Sequence, residues 1–218
     1  MRIEVYFTSH CLAPNELAGR TVVAVDLLRA STTIAVALAA GANEILPAGS
    51  IEEALHIAQN LERDQVVLAG ERKSVRIPGF ALGNSPVEFT PEAVRGRTIV
   101  LTTTNGTQTL LAAQGAREII VAAAVNFSVV VQRARAALEA TGDLAVLCSG
   151  HDRAFARTDV KHSSPVNDEA DFVFVVPVLA IEFRQHGIET GRLRIHIDHV
   201  RRDITALRVE RLNLAGIS

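Results

Sequence analysis

Residues 102–107, Thr-Thr-Thr-Asn-Gly-Thr, carry five hydroxyl or amide side chains in six positions. An apolar run at 98–101 precedes them, and a helical pattern of Thr109, Leu110, Leu111, Ala112 and Ala113 follows. That order predicts a strand, a polar loop and a helix start, where open backbone N–H groups beside Thr and Asn side chains favour an anion. The expected ligand of Thr103, Thr104, Asn105 and Gly106 is a phosphate group.

Three more apolar strands end in polar clusters. Asp26, Arg29, Ser31 and Thr32 follow residues 21–25, Glu71, Arg72 and Lys73 follow 65–69, and Cys148, Ser149 and Gly150 follow 144–147. In open α/β sheets the ligand crevice lies beyond the carboxyl ends of the strands. The clusters are therefore expected to line one cleft at one end of one sheet, with ordinary helix caps as the simpler account of any single Ser or Thr. Asp26 beside Arg29 and Glu71 beside Arg72 allow structural ion pairs. They equally suit an anion held with a hard cation, since carboxylates bind Mg²⁺ while guanidinium forks bind oxyanions. On that reading Asp26 and Glu71 are the metal ligands. Asp26, Arg29 and Arg72 are then the catalytic set acting on a transferring phosphoryl group, with Thr104 and Asn105 also holding its oxyanions.

Other chemistries lack their signatures. There is no Gly-x-x-x-x-Gly-Lys-[Ser/Thr] loop and no Gly-x-Gly-x-x-Gly after a strand, which argues against nucleotide and dinucleotide binding. Asp26 is followed by two leucines, so it has no second acid two residues on for an aspartyl-phosphate scheme. Cys148 and Arg153 are one position closer than the spacing with which cysteine phosphatases wrap a phosphate. His196 and His199 would face opposite sides of a strand. His10 and His151 lie near loops that could reach the cleft and stay unassigned.

The elements that must position these groups follow from periodicity. Residues 1–7 alternate as an edge strand half-buried by Ile3, Val5 and Phe7, whereas 21–25 read as a strand buried on both faces, typical of a parallel sheet covered by helices. A small-residue helix runs to Ala40 and stops at Gly41, and 44–47 is extended again. Ser50, with Glu53 three residues on, opens a helix over 51–61. Residues 74–91 form a long aperiodic loop, which favours a functional role. A helix over 128–140, a strand at 144–147 and an alternating strand at 193–200 complete the reading. Gly-Ala-x-Glu-Ile recurs at 41–45 and 115–119. It marks two related strand-loop-helix-strand units with right-handed crossovers. The expected fold is α/β, three-layer α/β/α, around a largely parallel or mixed sheet.

The 218 residues suit one compact unit over 1–218, and the 48% hydrophobic and 21% charged content is that of a globular chain. A formal net charge of −2 argues against nucleic-acid binding. Cys11 and Cys148 make no disulfide framework, and the chain opens without a signal-like segment, so a reduced cytoplasmic protein is expected. The apolar run at 172–183 is interrupted by Pro177 and Glu182 and is too short for a membrane span.

Taken together, residues 25–34 (Val-Asp-Leu-Leu-Arg-Ala-Ser-Thr-Thr-Ile), Gly70-Glu71-Arg72, residues 79–86 (Gly-Phe-Ala-Leu-Gly-Asn-Ser-Pro) with Glu88 and Phe89, and the Thr102–Thr107 loop resemble the 2-phosphosulfolactate phosphatase family. Asn126 also fits. The resemblance covers about residues 22–150. It implies a Mg²⁺-dependent phosphatase that hydrolyses 2-phosphosulfolactate to 3-sulfolactate and phosphate, a step of coenzyme M biosynthesis. It adds Asn84, Ser85, Asn126 and Ser149 to the substrate-binding set of Ser31, Thr32, Thr103, Thr104, Asn105 and Gly106, and Asp159 as a third metal ligand beside Asp26 and Glu71. Residues 151–218 depart from the pattern: His151 stands at a family Thr, Thr158 at an acid, and residues 161–165 replace a Cys-Ala-Gly helix start. A non-catalytic small-anion binder with a degenerate C-terminal region is the alternative. The expected partners are a small anionic phosphate ester and at most a second copy of the chain in a homodimer, without nucleic acid or membrane.

Overall fold

The computed structural model describes residues 1–27 and 29–150 and the backbone of residues 192–196. Strands buried on both faces and helices alternate through most of this length. β1 (Arg2–Tyr6), β2 (Thr21–Val25), α1 (Ala30–Ala39), β3 (Glu44–Pro47) and α2 (Ile51–Gln59) come first. β4 (Val66–Arg72), β5 (Val75–Arg76), the short α3 (Pro91–Val94), β6 (Thr98–Thr102) and α4 (Gly106–Ala112) follow. β7 (Glu118–Ala122), α5 (Phe127–Thr141), β8 (Asp143–Cys148) and β9 (Arg192–His196) close the order.

The expected single sheet is two. One has the order β7-β2-β8-β1-β9, the other β3-β6-β4-β5. Every pairing is parallel except the β4–β5 hairpin. Both are covered on two faces, so the α/β layering holds for each. In the first sheet α5 packs Val130, Val131 and Leu138 on Val23, Val25 and Val146. On its other face Ala113, which caps α4, joins Leu17, Tyr6, Val22 and Leu147. In the second, α1 sets Ile34 and Ala37 against Ile99 and Leu101, and α2 sets Ala54 toward Val100, Ile77 and Phe80. Apolar runs without alternation report this two-sided burial.

The duplicated units cross between the sheets, which corrects the expectation of crossovers within one sheet. β2-α1-β3 leaves the first sheet for the second, and β6-α4-β7 returns, so that β2 pairs with β7 and β3 with β6. Matched contacts fix the exchange: Gly19 N–H donates to Gly115 O at 3.0 Å and Gly96 N–H to Gly41 O at 2.8 Å. Arg117 N–H likewise donates to Arg20 O and Asn43 N–H to Arg97 O, both at 2.9 Å. Gly-Arg-Thr opens both units, at 19–21 and 96–98. That shared start is a second sequence mark of the repeat.

β1 is an interior strand between β8 and β9, not an edge. Its alternation suggested a solvated face, yet Glu4 and Tyr6 are buried there because they bond each other and Arg20 and Glu16 supply polar partners. The helix predicted from Ser50 forms, with Ser50 Oγ accepting from Glu53 N–H at 3.0 Å. Glu53 Oε2 accepts from Gly49 N–H rather than from the cap residue itself. β9 overlaps the alternating segment predicted at 193–200 and runs parallel to β1, and residues 197–200 lie outside those described. The run at 172–183 lies outside the described residues. Among those described, no helix is long and apolar enough to cross a membrane.

Gly70 marks the closest strand approach beside the loops that carry the polar clusters. A Cβ there would lie 2.2 Å from Thr102 O across the β4–β6 ladder, at φ +155°. Gly70→Ala is expected to destabilise the fold by about 1–3 kcal/mol, the usual scale of overpacking. Urea unfolding measures it, and an unchanged midpoint would show that the two strands part freely here.

Candidate functional site

The polar clusters meet because β2 and β8 of one sheet and β4 and β6 of the other end at the same place, where α1 and α4 begin. Their N-terminal residues touch: a Cβ on Gly106 would lie 2.4 Å from both Ala30 Cβ and Asp26 Oδ2. Glycine is thus required for α4 to start against Asp26. A cavity of ≈ 450 Å³ opens there, lined by Asp26, Arg29, Glu71, Lys73, Ser74, Asn84, Thr103, Thr104, Asn105 and Gly106. A second lobe of ≈ 430 Å³ shares Thr104 and Asn105 and adds Ser9, His10, Gln108, Leu111, Ala112 and Ser149.

Asp26 and Glu71 are both buried. Asp26 extends β2, its N–H donating to Ala122 O. Glu71 Oε1 accepts from Thr104 N–H at 2.8 Å, and Oε2 accepts from Ser74 N–H at 2.7 Å and from Thr104 Oγ1 at 3.1 Å. The carboxylate therefore ties the triple-threonine loop to the turn between β4 and β5. In that turn Lys73 and Ser74 take φ of 51° and 65°, the left-handed pair that a two-residue hairpin needs and that side chains disfavour. The strain places Lys73 at the cavity, with its N–H donating to Thr104 Oγ1 at 3.3 Å. Within the loop, Thr103 N–H donates to Thr107 Oγ1 and Thr107 N–H to Thr103 Oγ1. The N–H groups of Thr103 and Thr104, expected to face a ligand, thus already have partners inside the protein. The loop is a rigid wall whose backbone is partly occupied.

Of the residues singled out from sequence, Asp26, Arg29, Glu71, Asn84, Thr103, Thr104, Asn105 and Gly106 line the main lobe, and Ser149 lines the second. Arg72 does not. It stands one residue past Glu71 on β4, hence on the α2 face, where its guanidinium donates to Glu71 O at 2.8 Å and to Thr102 Oγ1 at 2.8 Å. Ser31 is buried in α1 away from the lining, and Thr32 Oγ1 donates to Leu27 O. Ser85 caps a short 3-10 turn at Pro86–Glu88. Asn126 serves the backbone, accepting from Ala123 N–H and donating to Val121 O at 2.9 Å. Asp159 and His151 lie outside the described residues. Ser74, Ser9 and Gln108 went unnoticed in the sequence, and Lys73 and His10 carried no role. The signal for Lys73 and Ser74 was their place as the two residues between Arg72 and Val75. His10 sits on a turn after β1 whose start is capped by Thr8 Oγ1.

Such a cleft, with acids and cations gathered where parallel strands end and helices begin, defines an α/β protein with its polar pocket at the carboxyl ends of the strands. The family profile described as 2-phosphosulpholactate phosphatase matches residues 6–166, starting earlier and running further than the resemblance at 22–150. The chain belongs to the 2-phosphosulfolactate phosphatase family. Relatives named probable 2-phosphosulfolactate phosphatase include one from Caldanaerobacter subterraneus subsp. tengcongensis, 39% identical over 160 residues, 73% of this chain and 65% of that protein. Another, from Symbiobacterium thermophilum, is 46% identical over 144 residues, 66% of this chain and 60% of its own length. A third, from Carboxydothermus hydrogenoformans, is 42% identical over 159 residues, covering 73% and 63%. The matched stretch thus spans 60–65% of these three relatives.

Proposed function

We propose that the chain is a Mg²⁺-dependent cytoplasmic phosphatase acting on a small, highly anionic phosphate ester, hydrolysing 2-phosphosulfolactate to 3-sulfolactate and phosphate in coenzyme M biosynthesis. The observation that carries this reading is the meeting of Asp26, Arg29, Lys73 and the Thr103–Gly106 loop around one cavity in a member of this family. The substrate bears a phosphate, a carboxylate and a sulfonate, and a cleft with a guanidinium and an ammonium answers that charge.

The residues fit a hard divalent cation. Asp26 and Glu71 are buried carboxylates in the same cavity, and Asn84 Oδ1 is a buried carbonyl oxygen without a hydrogen-bond partner among the described residues. No cluster of three or more His, Cys, Asp or Glu side chains occurs among the described residues. Mg²⁺ commonly takes one or two carboxylates and completes its shell with water and substrate oxygens. When bound, Mg²⁺ neutralises charge on the phosphoryl oxygens and templates the reacting groups. Arg29 and Lys73 hold the oxyanions, and Glu71 keeps Thr104 and the Lys73 turn in register around them. In net terms a water oxygen bonds to phosphorus, the ester P–O bond breaks, and the leaving oxygen takes a proton. The second lobe, with Ser9, His10 and Ser149, offers room for the organic half.

Phosphate release from 2-phosphosulfolactate and from simpler phosphate esters, with Mg²⁺ or with EDTA, tests the reading. Turnover of 2-phosphosulfolactate that EDTA abolishes is expected. No turnover alongside phosphate binding would instead favour the non-catalytic anion binder.

A further inference from the structure

We propose that Asn84, through Oδ1, is a metal ligand beside Asp26, and that Glu71 is a brace outside the coordination sphere. The inference rests on the Mg²⁺-dependent reading above and divides the metal-binding role among this chain's own residues. Asn84 is 7% exposed and lines the cavity with Asp26. Its Oδ1 is buried without a hydrogen-bond partner among the described residues. A carbonyl oxygen removed from water and left unpaired is destabilising, so a site that keeps one needs a cation or a donor to meet it.

The surroundings hold the amide in place. Asn84 O accepts from Thr33 Oγ1 of α1 at 3.2 Å, and the preceding Gly83 N–H donates to Glu88 Oε2 at 2.9 Å. A Cβ on Gly83 would fall 2.8 Å from Glu88 Oε1, so the chain is pinned tightly just before Asn84. A side chain fixed this firmly from its backbone, yet with its oxygen unsatisfied, is preorganised for a ligand. Glu71 is the reverse case. Its two oxygens already accept three hydrogen bonds, all from the loop and turn that shape the cavity. Turning that carboxylate to a metal would release the wall that the metal needs.

The test uses the full chain without substrate, Mn²⁺ as the probe read by the EPR signal of the free ion, and thermal unfolding with and without Mg²⁺. Asn84→Leu is expected to weaken Mn²⁺ binding at least tenfold and to lose the Mg²⁺-induced rise in midpoint. Its metal-free midpoint stays at or above wild type, since removing an unpaired polar group does not destabilise. Asn84→Asp is expected to bind Mn²⁺ as tightly as wild type or more so, whereas an amide that serves by its NH₂ group would give no such retention. Glu71→Gln is expected to lower the midpoint already in the absence of metal. Wild-type Mn²⁺ affinity in Asn84→Leu overturns the proposal, as does a Glu71→Gln variant that keeps its metal-free midpoint but loses Mn²⁺. Phosphate release by the wild type in Mg²⁺ reports on the phosphatase reading separately, so its failure is told apart from a wrong ligand assignment.

Discussion

Asp26→Asn is expected to lower kcat for phosphate-ester hydrolysis by about 10²–10³-fold, the scale on which a single preorganised charge contact acts at a transition state. The unfolding midpoint should stay close to wild type. Asparagine keeps the shape of the side chain, and the backbone tie from Asp26 N–H to Ala122 O is untouched. What changes is charge at the buried point where β2 ends and α4 begins. Asp26→Glu should rescue little, because Asp26 Oδ2 lies 2.4 Å from where a Cβ on Gly106 would sit, and a longer side chain moves the carboxylate away from that place at the start of α4. Steady-state rates with saturating Mg²⁺ measure the loss. Rapid quench with labelled substrate then asks whether a phosphoenzyme forms and disappears in Asp26→Asn. Activity of Asp26→Asn within tenfold of wild type would remove Asp26 from the chemistry.

Arg20→Met should be the most destabilising of these substitutions, by about 3–5 kcal/mol, the cost of stripping one partner from a buried ion pair. Arg20 donates to Glu4 Oε2 at 2.7 Å and, with two nitrogens, to Asp143 at 2.7 and 3.0 Å. It also reaches Tyr6 OH at 3.2 Å, and Tyr6 in turn donates to Glu16. The cluster lies at the strand ends away from the cavity, joining β1, β2 and β8. Burial alone would raise the Glu4 and Asp143 carboxyls. For Glu4 the hydrogen bond and charge of Arg20 outweigh it, for Asp143 those of Arg2 and Arg20, and both end below their ordinary range.

A depressed carboxyl adds stability above its unfolded pKa, ordinarily 4.5 for Glu4 and 3.8 for Asp143, and loses it as pH falls through the lower folded value. The gap between wild type and Arg20→Met should therefore be full near neutrality and narrow in acid. Burial and the Glu16 contact push the Tyr6 hydroxyl upward, so its contribution is complete below pH 10 and declines only as pH rises through the folded value. Urea unfolding at a series of pH values measures both limbs. A pH-independent gap between the two proteins would show that Arg20 acts by packing alone.

Much of the molecule could be read before any fold was known, because its signals are local. Unbroken apolar runs at 21–25 and 98–101 announced strands buried on both sides. Ser50 announced a helix start, and Asp26, Glu71 and the triple-threonine loop stood where such strands end. What misled were assignments that depend on which face or which neighbour a residue meets. Arg72 lies next to Glu71 in sequence but on the opposite face of β4, and pleat decided that it would bond Thr102 instead of lining the cavity. Asn126 looked like a ligand donor and is a turn fastener. Polar residues on β1 suggested exposure until Arg20, distant in sequence, supplied their partners.

By itself the sequence determined the order of the main strands and helices outside the 74–91 stretch, the family, and the chemical types gathered at the strand ends, since periodicity, turns and motifs are properties of neighbouring residues. The tertiary structure alone decided that two sheets exchange strands, that the helix starts meet at Gly106 against Asp26, and that Glu71 binds the wall while Asn84 Oδ1 stays unsatisfied among the described residues. Those outcomes depend on pairing and burial between residues far apart in the chain, and no local pattern encodes the partner a side chain will find once the sheets close.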